Sequence, residues 1–367
     1  VKRRFSLATG GLAACAVVSL LVTLSSHAPA SAAIQQLAQN QHQGMNMAAM
    51  APMAASPFNP NLGPGESITV SPPVTGIAPD PNFTPPADTY HHEFQANCSP
   101  NHDAPNDPIV FPGQAGASHM HTFLGATTTD EKSTTASLSA GTTSCVTPQD
   151  KSGYWFPTLY NGTQVIHPDF PQVIYYKSGV YDYRTVRPFP KGLRFVVGSP
   201  TATQADFQNS PGAVEGWECG DSSKNWDFPV TCPAGTELNV RMQAPSCWDG
   251  VNLDSADHKS HMAYPVPNQA NWGRLVCPSD HPVALPMIEF KTAFPVSGNM
   301  SQVHLASGRG FSWHYDFFNA WDPTVQAALV KHCINGGMQC NPRGFDIYKP
   351  ERGGVLDDNY QLLPNIS

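Results

Sequence analysis

Charge is scarce in this chain. Asp, Glu, Lys and Arg make up 13% of its 367 residues, with 28 acidic against 20 basic side chains and a net charge of −8. Nucleic acids and anionic membranes are held through dense positive charge, so neither is expected as a partner. No Cys-x-x-Cys pair occurs, which argues against a cysteine zinc cluster. A Gly-x-Ser-x-Gly elbow is missing too, and no phosphate-cradling Gly-rich loop precedes a helix, so elbow-type serine hydrolysis and nucleotide chemistry are the weaker readings. The 36 prolines forbid long helices. No apolar run is long enough to read as a membrane span.

What is present begins with an export signature. Lys2, Arg3 and Arg4 precede an apolar stretch from Leu12 to Leu24, and Ala30-Ser31-Ala32 offers a small-x-small cleavage site. Residues 1–32 are therefore expected to be a signal peptide and the protein to be secreted. Cleavage removes three positive charges and takes the net charge from −8 to −11. Cys15 leaves with that segment. The remaining cysteines are Cys98, Cys145, Cys219, Cys232, Cys247, Cys277, Cys333 and Cys340, an even number that reads as four disulfides in an oxidising compartment. Sequence does not choose among their pairings; nearest neighbours in order is the simplest expectation, since each pair closes a local loop.

Residues 33–87 are Gln-rich, then Ala/Met-rich, then Pro-rich. Such composition buries too little apolar surface to offset ordering entropy, so a disordered linker is predicted. Within it, His42, Met45, Met47, Met50 and Met53 have a spacing open to Cu(I), although a plain small-residue tether explains them as well. Residues 88–367 read as one globular domain. Short runs such as Gln172–Tyr176, Gly192–Val197, Glu237–Met242 and Met287–Lys291 recur between Pro, Gly, Asn and Asp clusters, and the last three alternate with period two. An all-β fold is predicted, a sandwich or jelly roll with long loops. One C-terminal helix stands out: Asp322 is its N-cap, Pro323 its first residue, and Asn335-Gly336-Gly337 its end.

Chemistry concentrates in two segments. In Ser118-His119-Met120-His121, two histidines one residue apart share a face if the segment is extended. Trp313-His314-Tyr315-Asp316 repeats that spacing with His314 and Asp316. Three readings stay open: His119, His121 and His314 as ligands of a divalent zinc or copper ion, with Asp316 a fourth ligand or an orienting group; His314 and Asp316 as a metal-free proton-transfer pair; or histidines that simply tie down loops. The loop Cys247-Trp248-Asp249 to His261 adds Asp249 as a second carboxylate and His261 as a further acid/base candidate. Asp254 and Asp257 are more naturally turn-builders, and calcium at Asp249, Asn252, Asp254 and Asp257 is a minor option. Trp155, Trp313 and Tyr315 are candidate platforms for a sugar ring. Trp217 and Trp248, near cysteines, are expected to pack over disulfides.

Many ordered pieces, among them Asp107-Pro108-Ile109-Val110, His119-x-His121, Gly153-Tyr154-Trp155-Phe156-Pro157, Trp217-x-Cys219, Cys247-Trp248-Asp249-Gly250, Cys277-Pro278-Ser279-Asp280-His281-Pro282 and His314-x-Asp316-Phe317, resemble a secreted domain-of-unknown-function family of bacteria and fungi. Fungal members of that family often carry WSC modules thought to bind cell-wall glycans. The resemblance implies secretion, disulfides and a single domain, and hints at glycans without implying an activity. The expectation is thus a secreted protein, a monomer, that acts on or binds extracellular polysaccharide, with a glycoside or metal-dependent hydrolase as its enzymatic form. The alternative is a non-catalytic cell-wall- or metal-binding protein.

Overall fold

The computed structural model describes residues 66–87, 92–221, 223–269 and 273–364. The expected signal peptide and the His/Met run of the linker lie outside the described residues.

Ten strands build two five-stranded antiparallel sheets. In chain order they are β1 (Glu93–Cys98), β2 (Pro100–Ala104), β3 (His121–Gly125), β4 (Gly153–Pro157), β5 (Gln172–Ser178), β6 (Arg194–Gly198), β7 (Ala213–Glu218), β8 (Leu238–Gln243), β9 (Pro286–Phe294) and β10 (His314–Phe318). The first sheet runs β1-β5-β9-β8-β7 and the second β2-β3-β4-β10-β6. Strand alternation sends Tyr154, Phe156, Phe195, Val197, Tyr315 and Phe317 from the second sheet onto Ile174, Tyr176, Val240, Met242, Ile288 and Phe290 of the first, forming the main core. Ring contacts bridge the sheets, with centroids 4.3 Å apart for Phe290–Tyr315 and 5.9 Å for Tyr154–Phe290. The all-β sandwich expectation holds.

The second sheet is also covered on its outer face. Phe123, Trp155, Val196 and Phe318 form a smaller cluster there with Ile109 and Leu138. All five residues of β3, of β4 and of β10 are consequently buried.

Four disulfides staple the fold: Cys98–Cys145, Cys219–Cys232, Cys247–Cys277 and Cys333–Cys340, the nearest-neighbour order. The C-terminal helix spans Pro323–Leu329 and continues as a wider turn over Val330–Ile334. Its cap forms as predicted, with the Asp322 carboxylate accepting from the Thr324 and Val325 amides. Two short helices, Thr135–Ala140 and Gln204–Asn209, were not anticipated; six residues are too few to show a helical period, and each is nucleated by a threonine capping box. Among the described residues no helix is long and apolar enough to cross a membrane.

The C-terminal part of the expected linker, residues 66–87, packs onto the sandwich. Glu66 forms an ion pair of 3.0 Å with Arg194 in which both side chains are nearly inaccessible, and the Val74 amide donates to the Gly250 carbonyl at 2.8 Å. Phe83 sits edge-on to Tyr183 with centroids 5.1 Å apart. A few anchors suffice to order a stretch whose bulk composition is that of a tether.

Candidate metal centre

The outer face of the second sheet assembles the candidate site. β3 starts at His121, with His119 two residues before it, and β10 starts at His314; β4 lies between these strands. The pleat puts His314 and Asp316 on the outer face and Trp313, Tyr315 and Phe317 on the core face. Ring centroids lie 4.3 Å apart for His119–His121, 5.0 Å for His119–His314 and 5.8 Å for His121–His314. Each imidazole offers a nitrogen within 4.8 Å of the others.

Hydrogen bonding fixes what these rings present. His121 Nδ1 faces the Asn106 carbonyl at 3.0 Å, and His314 Nδ1 faces the Ser312 carbonyl at 2.9 Å. A carbonyl only accepts, so each Nδ1 carries the proton and each Nε2 is left with a free lone pair. The Nε2 atoms of His119 and His121 are buried and have no hydrogen-bond partner. A second set overlaps the first: Asp107, His121 and Asp316 bring ligand atoms within 4.8 Å of one another. Asp107 is positioned by its own turn, one oxygen accepting from the Ile109 and Val110 amides at 2.9 Å each. Both oxygens of Asp316 are buried without a partner.

Burial is the main cause of the unusual protonation here. It pushes the His119 imidazole down to about 4. His121 and His314 are held well below the ordinary histidine value by burial and then by their imidazole neighbours. Asp107 is pushed up to about 6 by burial, against the pull of its two amide bonds. Asp316 is pushed well above the usual carboxylate range by burial and then by Asp107. Neutral imidazoles with inward lone pairs, next to unpartnered carboxyl oxygens, form a costly arrangement for a protein interior. The same donor set suits a divalent transition-metal ion.

Other predicted residues are not part of this centre. Asp249 builds a turn: one of its oxygens accepts from the Val251 and Asn252 amides at 2.8 Å each. His261 is a strut, its Nε2 on the Arg194 carbonyl at 2.9 Å and its Nδ1 on the Ser255 hydroxyl at 2.8 Å. Asp254 likewise serves the loop, binding the Ser255 amide and His258. The three expected aromatic platforms, Trp155, Trp313 and Tyr315, are each 0% exposed and offer no ring face to solvent. Tyr315 donates its hydroxyl to the Ile288 carbonyl across the core. Trp313 packs on Phe156 and Trp217, and Trp155 on Phe123. Trp217 and Trp248 are buried, as expected. Asp150 lies near Cys98 and Cys145, but those sulfurs are bonded to each other and offer no thiolate.

Two residues at the site were missed. Asp107 was noted only as part of a motif, and its spacing from His121 says nothing of their meeting. Lys259 reads from sequence only as positive character in its loop, yet its ammonium donates to the Gly198 carbonyl, and Gly198 pairs with His314 across β6 and β10.

Fold and site together define an antiparallel β-sandwich with four disulfides and a largely buried three-histidine, two-carboxylate cluster on one sheet's outer face. The chain belongs to the family described as a domain of unknown function (DUF1996), which matches residues 107–321. That match runs from Asp107 to Trp321 and so encloses every member of the cluster. No curated protein and no solved structure matches the chain.

Proposed function

We propose that this protein binds a divalent transition-metal ion, zinc or copper, through His119, His121 and His314. One observation carries the reading: the imidazole nitrogens converge within 4.8 Å while the Nε2 atoms of His119 and His121 are buried and unpartnered. The backbone carbonyls of Asn106 and Ser312 act as outer partners that fix the tautomers of His121 and His314. Metal analysis of untagged protein, followed by chelator competition, tests the assignment. Stoichiometric metal in the wild type and its loss in H121A are expected; metal-free wild-type protein that takes up none on reconstitution would overturn it.

A hydrolytic role is the second reading, favoured by the Asp107–Asp316 pair beside the imidazoles. A bound ion supplies Lewis-acid polarisation of a substrate oxygen. Asp107, pushed up to about 6 in the metal-free protein, is placed to hold or release a proton, and Asp316 brings unpartnered oxygens to the same cluster. An extracellular setting agrees with four disulfides and with the export signature. Polysaccharide is the proposed substrate class on the strength of the family resemblance, since the expected aromatic platforms are buried. Incubation with a panel of fungal and plant glycans, read for new reducing ends with and without chelator, tests it; no chelator-sensitive product from any glycan removes polysaccharide hydrolysis and leaves metal binding standing.

A further inference from the structure

We infer that Lys259 holds an oxyanion, the charged group of a substrate or of a small ligand, against the ion at the three imidazoles. The inference rests on the metal reading and adds a charge requirement to it. Lys259 comes from the loop that follows the Asp249 turn and is partly buried. Among the described residues it forms no ion pair, and its ammonium has one hydrogen bond, to the Gly198 carbonyl. An ammonium carries three donors, so this bond leaves capacity for a ligand.

The position of that ammonium is set by the sheet. Gly198 lies opposite His314, and a Cβ added at Gly198 would come within 3.1 Å of the His314 Cβ and 2.6 Å of the Trp313 carbonyl oxygen. The backbone of β6 therefore passes hard against the histidine strand, and Lys259 sits at that crossing. Its charge is felt by both His314 and Asp316. Lys259 also lines a cavity of about 270 Å³ with Gly198, Met242, Met262 and Tyr264, large enough for the body of a small ligand. The carboxylate whose charge acts most on Lys259 is Asp316 of the site itself, which makes no hydrogen bond to it, while Asp257 binds Ser255, Lys259 and Ser260 amide or hydroxyl groups and Asp206 caps its helix at Thr203. A divalent ion on the imidazoles adds positive charge beside a desolvated ammonium, and an oxyanion reaching both relieves the repulsion. A neutral sugar hydroxyl would not.

Cobalt(II)-substituted protein provides the test, because its visible spectrum reports ligands on the ion directly. Wild type, K259M and K259R are loaded with cobalt and titrated with acetate and, separately, with inorganic phosphate. K259R is expected to bind cobalt as wild type does, and K259M at least as tightly, since it removes a positive charge beside the ion. The anion-induced spectral shift is expected at concentrations at least about tenfold lower in wild type and K259R than in K259M, the order of magnitude of one close charge at a partly buried site. The better of the two anions then identifies a carboxylate or a phosphate as the charged group. Cobalt loading with identical anion affinity in wild type and K259M overturns the role of Lys259 while leaving the metal site intact. Failure of wild-type protein to load cobalt removes both. Should K259M not fold, K259Q, which retains part of the apolar stem and a polar end, replaces it.

Discussion

At the scale of single residues, the site is defined by groups that are badly accommodated without a ligand. Asp316 has two buried oxygens and no hydrogen bond, so its ionised form is costly in the metal-free protein. Asn has nearly the same shape and no charge. We expect D316N to raise the stability of the metal-free protein at neutral pH by about 1–3 kcal/mol. The same change should weaken zinc binding about 10–100-fold, as loss of an orienting or ligating partner does. Denaturant melts of metal-free protein and chelator competition measure the two halves. A purely structural Asp316 would lose stability on substitution and leave metal uptake unchanged. Trp155 makes the opposite case. It is 0% exposed within the smaller cluster, so W155A should cost about 3–5 kcal/mol in unfolding free energy. Binding of soluble oligosaccharides, measured by calorimetry on whatever fraction folds, should not change; lost binding in a variant of unchanged core would restore the platform role.

Among elements, the chain passes from the first sheet to the second at Ser99, the one residue between β1 and β2, and Cys98–Cys145 clamps that crossing. This bridge closes a sequence separation of 47 residues, whereas Cys333–Cys340 closes 7, so replacing the first pair by alanine should cost about 4 kcal/mol and the second about 2.5 kcal/mol on chain-entropy grounds. Equilibrium unfolding of the two double variants checks the order, and a larger loss at Cys333–Cys340 contradicts it. Elements were also the part of the structure most legible beforehand. Period-two runs such as Glu237–Met242 became strands because one face of the first sheet is polar and the pattern is clean. His119, His121, His314 and Asp316 were legible for the same reason, since i and i+2 on an extended chain must share a side. The aromatics failed where that rule is ambiguous: the second sheet is covered on both faces, so Trp155 and Trp313 are buried whichever way they point. Asp249 and His261 failed because turn chemistry and site chemistry use the same side chains. Asp107 and Lys259 were invisible because only the long-range pairing of β3, β4, β10 and β6 brings their loops to the imidazoles.

For the molecule as a whole, the two sheets are joined by a buried polar chain as well as by apolar packing. The Asp150 carboxylate accepts from the Tyr154 hydroxyl at 2.7 Å, Tyr154 meets Tyr176 hydroxyl to hydroxyl, and Trp321 Nε1 donates to Tyr176 at 3.0 Å. Tyr154 belongs to β4 and Tyr176 to β5, so this chain crosses the interface between the sheets. Burial raises the Asp150 carboxyl from 3.8 to about 7, despite the Tyr154 and Ser152 bonds that favour its ionised form. The folded protein therefore binds a proton there that the unfolded chain has released, between pH 3.8 and about 7. Unfolding in that window releases the proton, so the stability contributed by the protonated group is complete below the unfolded value and declines as pH rises through the folded one. D150N keeps an acceptor for Tyr154 and removes the titration. The stability of wild type relative to D150N should fall by up to about 1.4 kcal/mol per pH unit across the window and level off above it. Denaturant unfolding of both proteins at pH values on either side of and within the window measures this difference. A gap that stays constant with pH would mean that Asp150 is ionised throughout, with the Tyr154 hydroxyl and the Ser152 amide compensating a buried charge between the sheets.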